Sequence, residues 1–152
     1  MMKNAKLITL ILLLLSWPAA ADEASPVGEW QVQNGDAHIR ILRCGDALWG
    51  FIDWLKTPGI DQSNPDPAKR DRPLLGLPIV RGMKQDAQEW AGDIYNSDNG
   101  KTYSGAISLD APDTLYIKGC LLGGWLCGGE HWKRITARSN PKEDKARCAA
   151  TD

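Results

Sequence analysis

The stretch Glu89 to Leu109, E-W-A-G-D-I-Y-N-S-D-N-G-K-T-Y-S-G-A-I-S-L, decides how the chain folds. Before its centre, Trp90, Gly92 and Ile94 alternate with Ala91, Asp93 and Tyr95; after it, Tyr103, Gly105, Ile107 and Leu109 alternate with Thr102, Ser104, Ala106 and Ser108. A period of two is the signature of a strand with two unlike faces. Between the runs, Asn96-Ser97-Asp98-Asn99-Gly100 suits a tight connection with a positive φ, most easily reached at Asn99 or Gly100. The stretch is a β-hairpin, and the flanking sequence repeats its style.

Upstream, Gly28 to Val32, His38 to Cys44 and Leu48 to Leu55 read as three strands of a meander, with Gly45-Asp46 as one turn. Pro78 to Met83 is a fourth strand, the hairpin gives the fifth and sixth, and Thr114 to Leu121 and His131 to Thr136 complete eight. With no long helical pattern, eight short strands predict an all-β, closed antiparallel up-and-down barrel, which leaves no raw sheet edge. Between the third and fourth strands lies a long loop, Thr57 to Pro73, with four prolines. Asp66 followed by Pro67 can start one helical turn there, and Leu74, Leu75, Leu77 and Ile79 give the loop an apolar return that pins it to the body. Lys142 to Cys148 reads either as a short terminal helix or as a mobile tail.

The first residues read as an export signal, 1–21. Lys3 and Lys6 precede the apolar run Leu7 to Leu15, and Ala19-Ala20-Ala21 supplies small residues for cleavage before Asp22. The run is shorter than the roughly 20 residues of a membrane span, so no stable membrane insertion is expected, and the site of action is periplasmic or secreted. About 130 residues then remain, enough for one core and too few for two: a barrel domain over 22–136 and a tail over 137–152. The processed chain has more acidic than basic side chains, which argues against nucleic acid as a partner. Oligomeric state is not legible.

Cys44, Cys120, Cys127 and Cys148 are an even set in an exported chain, which suggests disulfides. Three pairings are possible. Cys120 and Cys127 flank Gly123-Gly124 and could close the hairpin of the last two strands; Cys44 with Cys148 would then tie the tail to the wall. A zinc site needs C-x-x-C or nearby histidine, and neither is present.

Other chemistry fails on spacing. Gly100-Lys101-Thr102 lacks the earlier glycine of a phosphate loop, which would fall at Tyr95. A calcium loop with Gly100 at its sixth place would begin on Tyr95 and end on Ala106, which cannot coordinate as required. His38 and His131 stand alone on outward faces, and nothing assembles nucleophile, base and orienter. No cofactor, metal or catalytic residue is indicated, and the chain is not read as an enzyme.

Two groups of residues invite a binding role. Asp61, Asn64 and Arg72, with Asp66, Arg70 and Asp71, make the loop the best polar cluster. They either cap turns and pair with one another or fold over a barrel end and offer polar contacts to a bound molecule. Trp30, Trp54, Trp90 and Trp132 point inward by alternation, as core or as ligand-facing rings. Gly50, Gly92, Gly105 and Gly119 share that inward side. They mark either bends of a small barrel or room for one small molecule. A pocket along Gly50, Gly92 and Gly105, with Trp54, Trp90 and Tyr103 on the same face, would hold a small, partly apolar ligand.

Gly28-Glu29-Trp30 near the start and Trp132-Lys133-Arg134 near the end resemble the first-strand G-x-W and late arginine of lipocalin-like barrels. That resemblance implies that Arg134 packs across Trp30 where the barrel closes. L-W-G-F-I-D-W from Leu48, D-Q-S-N-P-D-P-A-K-R-D-R-P-L-L-G-L from Asp61, W-A-G-D-I-Y-N-S-D-N-G-K-T-Y-S-G from Trp90, K-G-C-L-L-G-G-W-L-C from Lys118 and H-W-K-R from His131 resemble the exported bacterial family of domain of unknown function 2147. The resemblance covers about Val27 to Ile135. It implies a lipocalin-like fold and brings no established activity and no catalytic residues. An alternative role is that of a cell-envelope protein acting through protein contacts of its long loop.

Overall fold

Gly92 faces Gly105 and Ile94 faces Tyr103 in the hairpin formed by β5 (Glu89–Asn96) and β6 (Lys101–Ala111), so the deciding stretch pairs as its alternation requires. The computed structural model describes residues 24–121, 126–136 and 140–151; the export-signal reading and Gly123-Gly124 lie outside them. Gly100 carries the positive φ of the turn, 69°. Glycine is required there twice over, because a Cβ would also overlap the carbonyl oxygen of Ser63.

Around that hairpin, β1 (Gly28–Gln31), β2 (Ala37–Cys44), β3 (Ala47–Leu55), β4 (Pro78–Asp86), β7 (Thr114–Leu121) and β8 (Leu126–Ile135) complete a closed barrel in chain order, every neighbouring pair antiparallel. β8 starts at Leu126 rather than at His131, where Gly128-Gly129 hides the strand pattern. The barrel closes between β1 and β8, with Trp30 opposite Arg134. One helix, α1 (Pro141–Ala149), follows, capped by the Asn140 side chain on the Glu143 amide. Of the two readings of this region, the helix is the one found.

Inward positions of successive strands make the core: Trp30, Ile39, Ile41, Leu48, Ile52, Val80, Met83, Ile107, Leu115, Ile117 and Trp132 are all buried. Full burial of each large side chain stabilises by about 1.5–3 kcal/mol. Outward does not mean exposed on every wall. Arg40 and Phe51, on the other face of β2 and β3, are buried beneath α1 and the turn before β4. The Arg40 guanidinium there meets Glu29 at 3.4 Å.

One inward assignment is overturned. His38 pairs with Trp54 but Ile39 pairs with Ile52, so Asp53 is an extra residue in β3. A bulge of one residue exchanges the two faces beyond it. Trp54 therefore leaves the interior, is 42% exposed and lies against the His38 ring at 4.6 Å, while Leu55 takes the inward place and packs on the core.

Both disulfides are formed. Cys120 and Cys127 face each other across β7 and β8, and Cys44 at the end of β2 holds Cys148 of α1. In the chain-entropy account, the second ring, with a sequence separation of 104, stabilises by about 4.7 kcal/mol and the small one by about 2.5 kcal/mol.

Candidate functional site

The two ends of the barrel differ. At the β1–β8 closure, the Trp30 indole N–H donates to the Pro26 carbonyl at 2.8 Å. The Arg134 guanidinium carbon lies 4.2 Å from the Trp30 ring centroid. Arg134 also donates to three carbonyls, Pro112 at 2.7 Å, Val27 at 2.9 Å and Ser25 at 2.7 Å. Burial draws the guanidinium below its ordinary pKa, partly offset by Asp113. The side chain thus ties the segment before β1 and the β6–β7 turn to β8, and closes this end. Gly28 must be glycine here, with φ 144° and Arg134 Nη1 2.6 Å from where a Cβ would stand.

The opposite end is open. A cavity of about 1050 Å3 runs into the barrel from the β1–β2, β5–β6 and β7–β8 ends. Its inner wall is apolar, with Val32, Ile39, Ile52, Leu55, Ile79, Ile94, Ile117 and Trp132. Polar groups gather toward the mouth. Tyr103 stands on the wall, its hydroxyl accepting from Asn99 at 2.8 Å. Glu130 stands inward two residues before Trp132 and accepts from that indole N–H at 2.5 Å. Asn34, Asp36, Lys56 and Asp98 sit round the mouth.

The residues singled out in the sequence separate into three places. Tyr103 lines this cavity. Trp90 does not; it pairs with Ile107 deeper in the barrel and is half-buried. Trp54 is outside for the reason given above. The inward glycines do not leave the space either. A Cβ on Gly50 would come within 2.8 Å of Val80, on Gly92 within 2.7 Å of the Arg81 carbonyl, and on Gly105 it would overlap Ile94. These are close-packing sites. Gly128, at the mouth, has open space among the described residues where a Cβ would go.

Asp61, Asn64 and Arg72 form the third place. The legs of the segment between β3 and β4 pair with each other, Asp61 N–H to the Arg72 carbonyl at 3.0 Å and Leu74 N–H to the Gly59 carbonyl at 3.0 Å. Inside this clasp the Asp61 carboxylate, 0% exposed, accepts from the Tyr95 hydroxyl at 2.5 Å, Asn64 Nδ2 at 2.7 Å, and Arg72 Nε and Nη2 at 2.9 and 2.7 Å. Burial pushes the Asp61 carboxyl up, but the bonds from Tyr95, Asn64 and Arg72 outweigh it and hold the pKa below the ordinary value. Burial and then the Asp61 carboxylate push the Tyr95 phenol the other way, upward. Tyr95 points from β5 to the face opposite Ile94, and Arg81 caps its ring at 4.5 Å. The cluster is internally satisfied and fastens the loop to the barrel, with none of the three on the cavity wall. Asp66 starts a 3-10 turn, Pro67–Lys69, by accepting from the Ala68 amide.

A second hollow, about 750 Å3, lies between α1 and the wall. Its charged groups pair with one another, Arg147 with Asp53 at 2.6 Å and with Glu143 at 2.5 Å, while Arg147 Nη1 is buried without a hydrogen-bond partner among the described residues. Among the described residues no group of three or more His, Cys, Asp or Glu side chains is placed to hold a metal ion, and no helix is long and apolar enough to cross a membrane.

Comparison with known proteins agrees with this architecture. The model of a family described as "Uncharacterized protein conserved in bacteria (DUF2147)" matches residues 28–134. Among solved structures, protein HP1028 from the human pathogen Helicobacter pylori, described as belonging to the lipocalin family, superposes with a TM-score of 0.67 at 18% identity, over 82% of this chain and 89% of that one. At that identity the likeness concerns the fold. No curated protein matches the chain.

Proposed function

From the premise that the chain belongs to the bacterial family of domain of unknown function 2147 and folds as a lipocalin-like barrel, we propose that it is an exported protein that binds a small, partly apolar molecule. The observation that carries this reading is the barrel's asymmetry: one end sealed by Trp30 and Arg134, the other opening on a cavity of about 1050 Å3 with an apolar inner wall and a polar mouth. Ligand pockets of about 300–1,000 Å3 with a few placed polar groups are the usual size for small molecules. Two disulfides support an oxidising compartment, as does the leader-like start of the sequence. The role is binding without turnover. Of the grouped ionisable residues, Asp61 and Arg72 are occupied in holding the loop.

Titration with 1-N-phenylnaphthylamine, an uncharged apolar fluorophore, tests the cavity. Saturable enhancement is expected in the wild type and its loss in Gly128→Trp, whose new ring enters open space at the mouth and leaves the fold intact by circular dichroism. A Gly128→Trp protein that binds the dye as the wild type does refutes the cavity reading. The competing role, contact with another protein through the β3–β4 segment, has support from Ile60 and Leu75 there, 48% and 57% exposed. It takes precedence if the wild type binds no dye.

A further inference from the structure

We infer that the cavity prefers apolar molecules bearing a cationic group, with Glu130 as the residue that receives the charge. The inference rests on the binding role just proposed and adds the chemical class of ligand. Glu130 lies on β8 opposite Ile117, so the carboxylate is set into an apolar wall beside Ile117 and Trp132. One oxygen accepts from the Trp132 indole N–H; among the described residues it has no cationic partner. Leu122, Gly123, Gly124 and Trp125, which lie outside the described residues, carry no charged side chain in the sequence. Among the described residues the one cation on the cavity wall, Lys56 at the mouth, is paired with Asp36 at 3.2 Å, which leaves Asp98 as a further acid on the rim.

An apolar chain that fills the cavity strips water from Glu130. A carboxylate left without water or a partner is costly, and three ligand chemistries meet that cost differently. An ammonium replaces the lost water with a charge-assisted hydrogen bond and brings a counter-charge. A hydroxyl donates to the carboxylate but brings no counter-charge. A second carboxylate adds like-charge repulsion and must take up a proton, or stay outside. The attraction added by the counter-charge corresponds to roughly tenfold or more in affinity.

Displacement of 1-N-phenylnaphthylamine from the full-length processed protein by dodecylammonium, dodecanol and laurate, each below its aggregation threshold, tests this at neutral pH. The expected order is dodecylammonium, then dodecanol about tenfold weaker, then laurate. Glu130→Gln keeps an acceptor for Trp132 and should remove the advantage of the amine over the alcohol while leaving dodecanol and dye binding within about twofold. Laurate binding as tightly as the amine overturns the proposal. So does an amine-to-alcohol ratio unchanged in Glu130→Gln. In both cases retained dye binding leaves the cavity standing. If neither dye nor any of the three chains binds the wild type, the cavity reading itself falls and the charge preference falls with it.

Discussion

Replacing Asp61 by alanine should loosen the β3–β4 segment from the barrel at a cost set by what the carboxylate leaves behind. The side chain is fully buried and receives four hydrogen bonds, from Tyr95, Asn64 and two from Arg72. Removal leaves the buried Tyr95 hydroxyl proton and one proton of the Asn64 amide, which still donates to Tyr95 at 3.0 Å, without acceptors, each about 1–3 kcal/mol, and strips Arg72 of its counter-charge. Arg72 is about one-third exposed, so water recovers part of that last term. Together these predict a loss of about 3–5 kcal/mol, the range for breaking one side of a buried pair. Asp61→Asn keeps an acceptor for Tyr95 but sets an amide N–H2 against the donors of Asn64 and Arg72, so it should cost about as much as alanine. Urea unfolding followed by tryptophan fluorescence measures both. With a slope of about 2 kcal/mol/M for a domain of this size, each should lower the midpoint by about 2 M. A Tyr95→Phe variant combined with each shows whether phenol and carboxylate are coupled. If Asp61→Ala stays within 1 kcal/mol of the wild type, the cluster does not fasten the loop.

The same carboxylate gives a pH dependence. Its folded pKa lies below the unfolded value of 3.8, so its contribution is complete above that value and is lost as pH falls through the folded pKa; acid unfolding midpoints measured at pH 7, 4 and 3 should drop steeply only at the last step, and less so in Asp61→Asn. Cys44→Ser with Cys148→Ser should lower stability by about 2–5 kcal/mol, and more than Cys120→Ser with Cys127→Ser, because the first ring encloses most of the barrel; equal losses by urea unfolding would contradict the loop-length argument. Arg134→Ala removes three bonds to carbonyls and the contact with Trp30, so a loss of about 2–4 kcal/mol is expected, with Arg134→Lys recovering little because an ammonium cannot match the planar fork; the check is thermal unfolding by circular dichroism.

The barrel was legible because its signals are local. Alternation in β5 and β6, and the turn between them, required only neighbouring residues, and seven of the strands follow the same logic to within a few positions. That the first and last strands meet follows from closure of an eight-stranded meander, whereas the packing of Arg134 across Trp30 was legible through resemblance. Trp54 shows the limit of alternation. Its place depends on the bulge at Asp53, which arises where β2 and β3 fit each other and leaves no mark in either strand alone. β8 shows a second limit. Its first half, Leu126 to Glu130, carries two glycines and an acid and gives no apolar rhythm, so the sequence pattern begins only at His131 and hides Glu130. Counting back in twos from Trp132 would have found it.

The candidate site was harder to read than the fold because a cavity is defined by what fails to fill it. Four inward glycines suggested space, yet three are occupied by neighbours: Val80 against Gly50, the β4 backbone against Gly92, and Ile94 against Gly105. Whether a missing side chain leaves a void depends on how closely the adjacent strand approaches, and that follows from register rather than composition. The polar loop misled in a similar way. Its Asp, Asn and Arg residues suit recognition of a ligand as well as they suit one another, and what separates the two is whether Tyr95 is within reach. Tyr95 lies 34 residues from Asp61 on a face that alternation marks as outward. The loop therefore spends its polar groups on the barrel's outer side, and the cavity keeps an apolar inner wall below a polar mouth. In the proposed binding role, ligand selection then depends mainly on β8, where an acid two residues before a buried tryptophan faces the barrel interior.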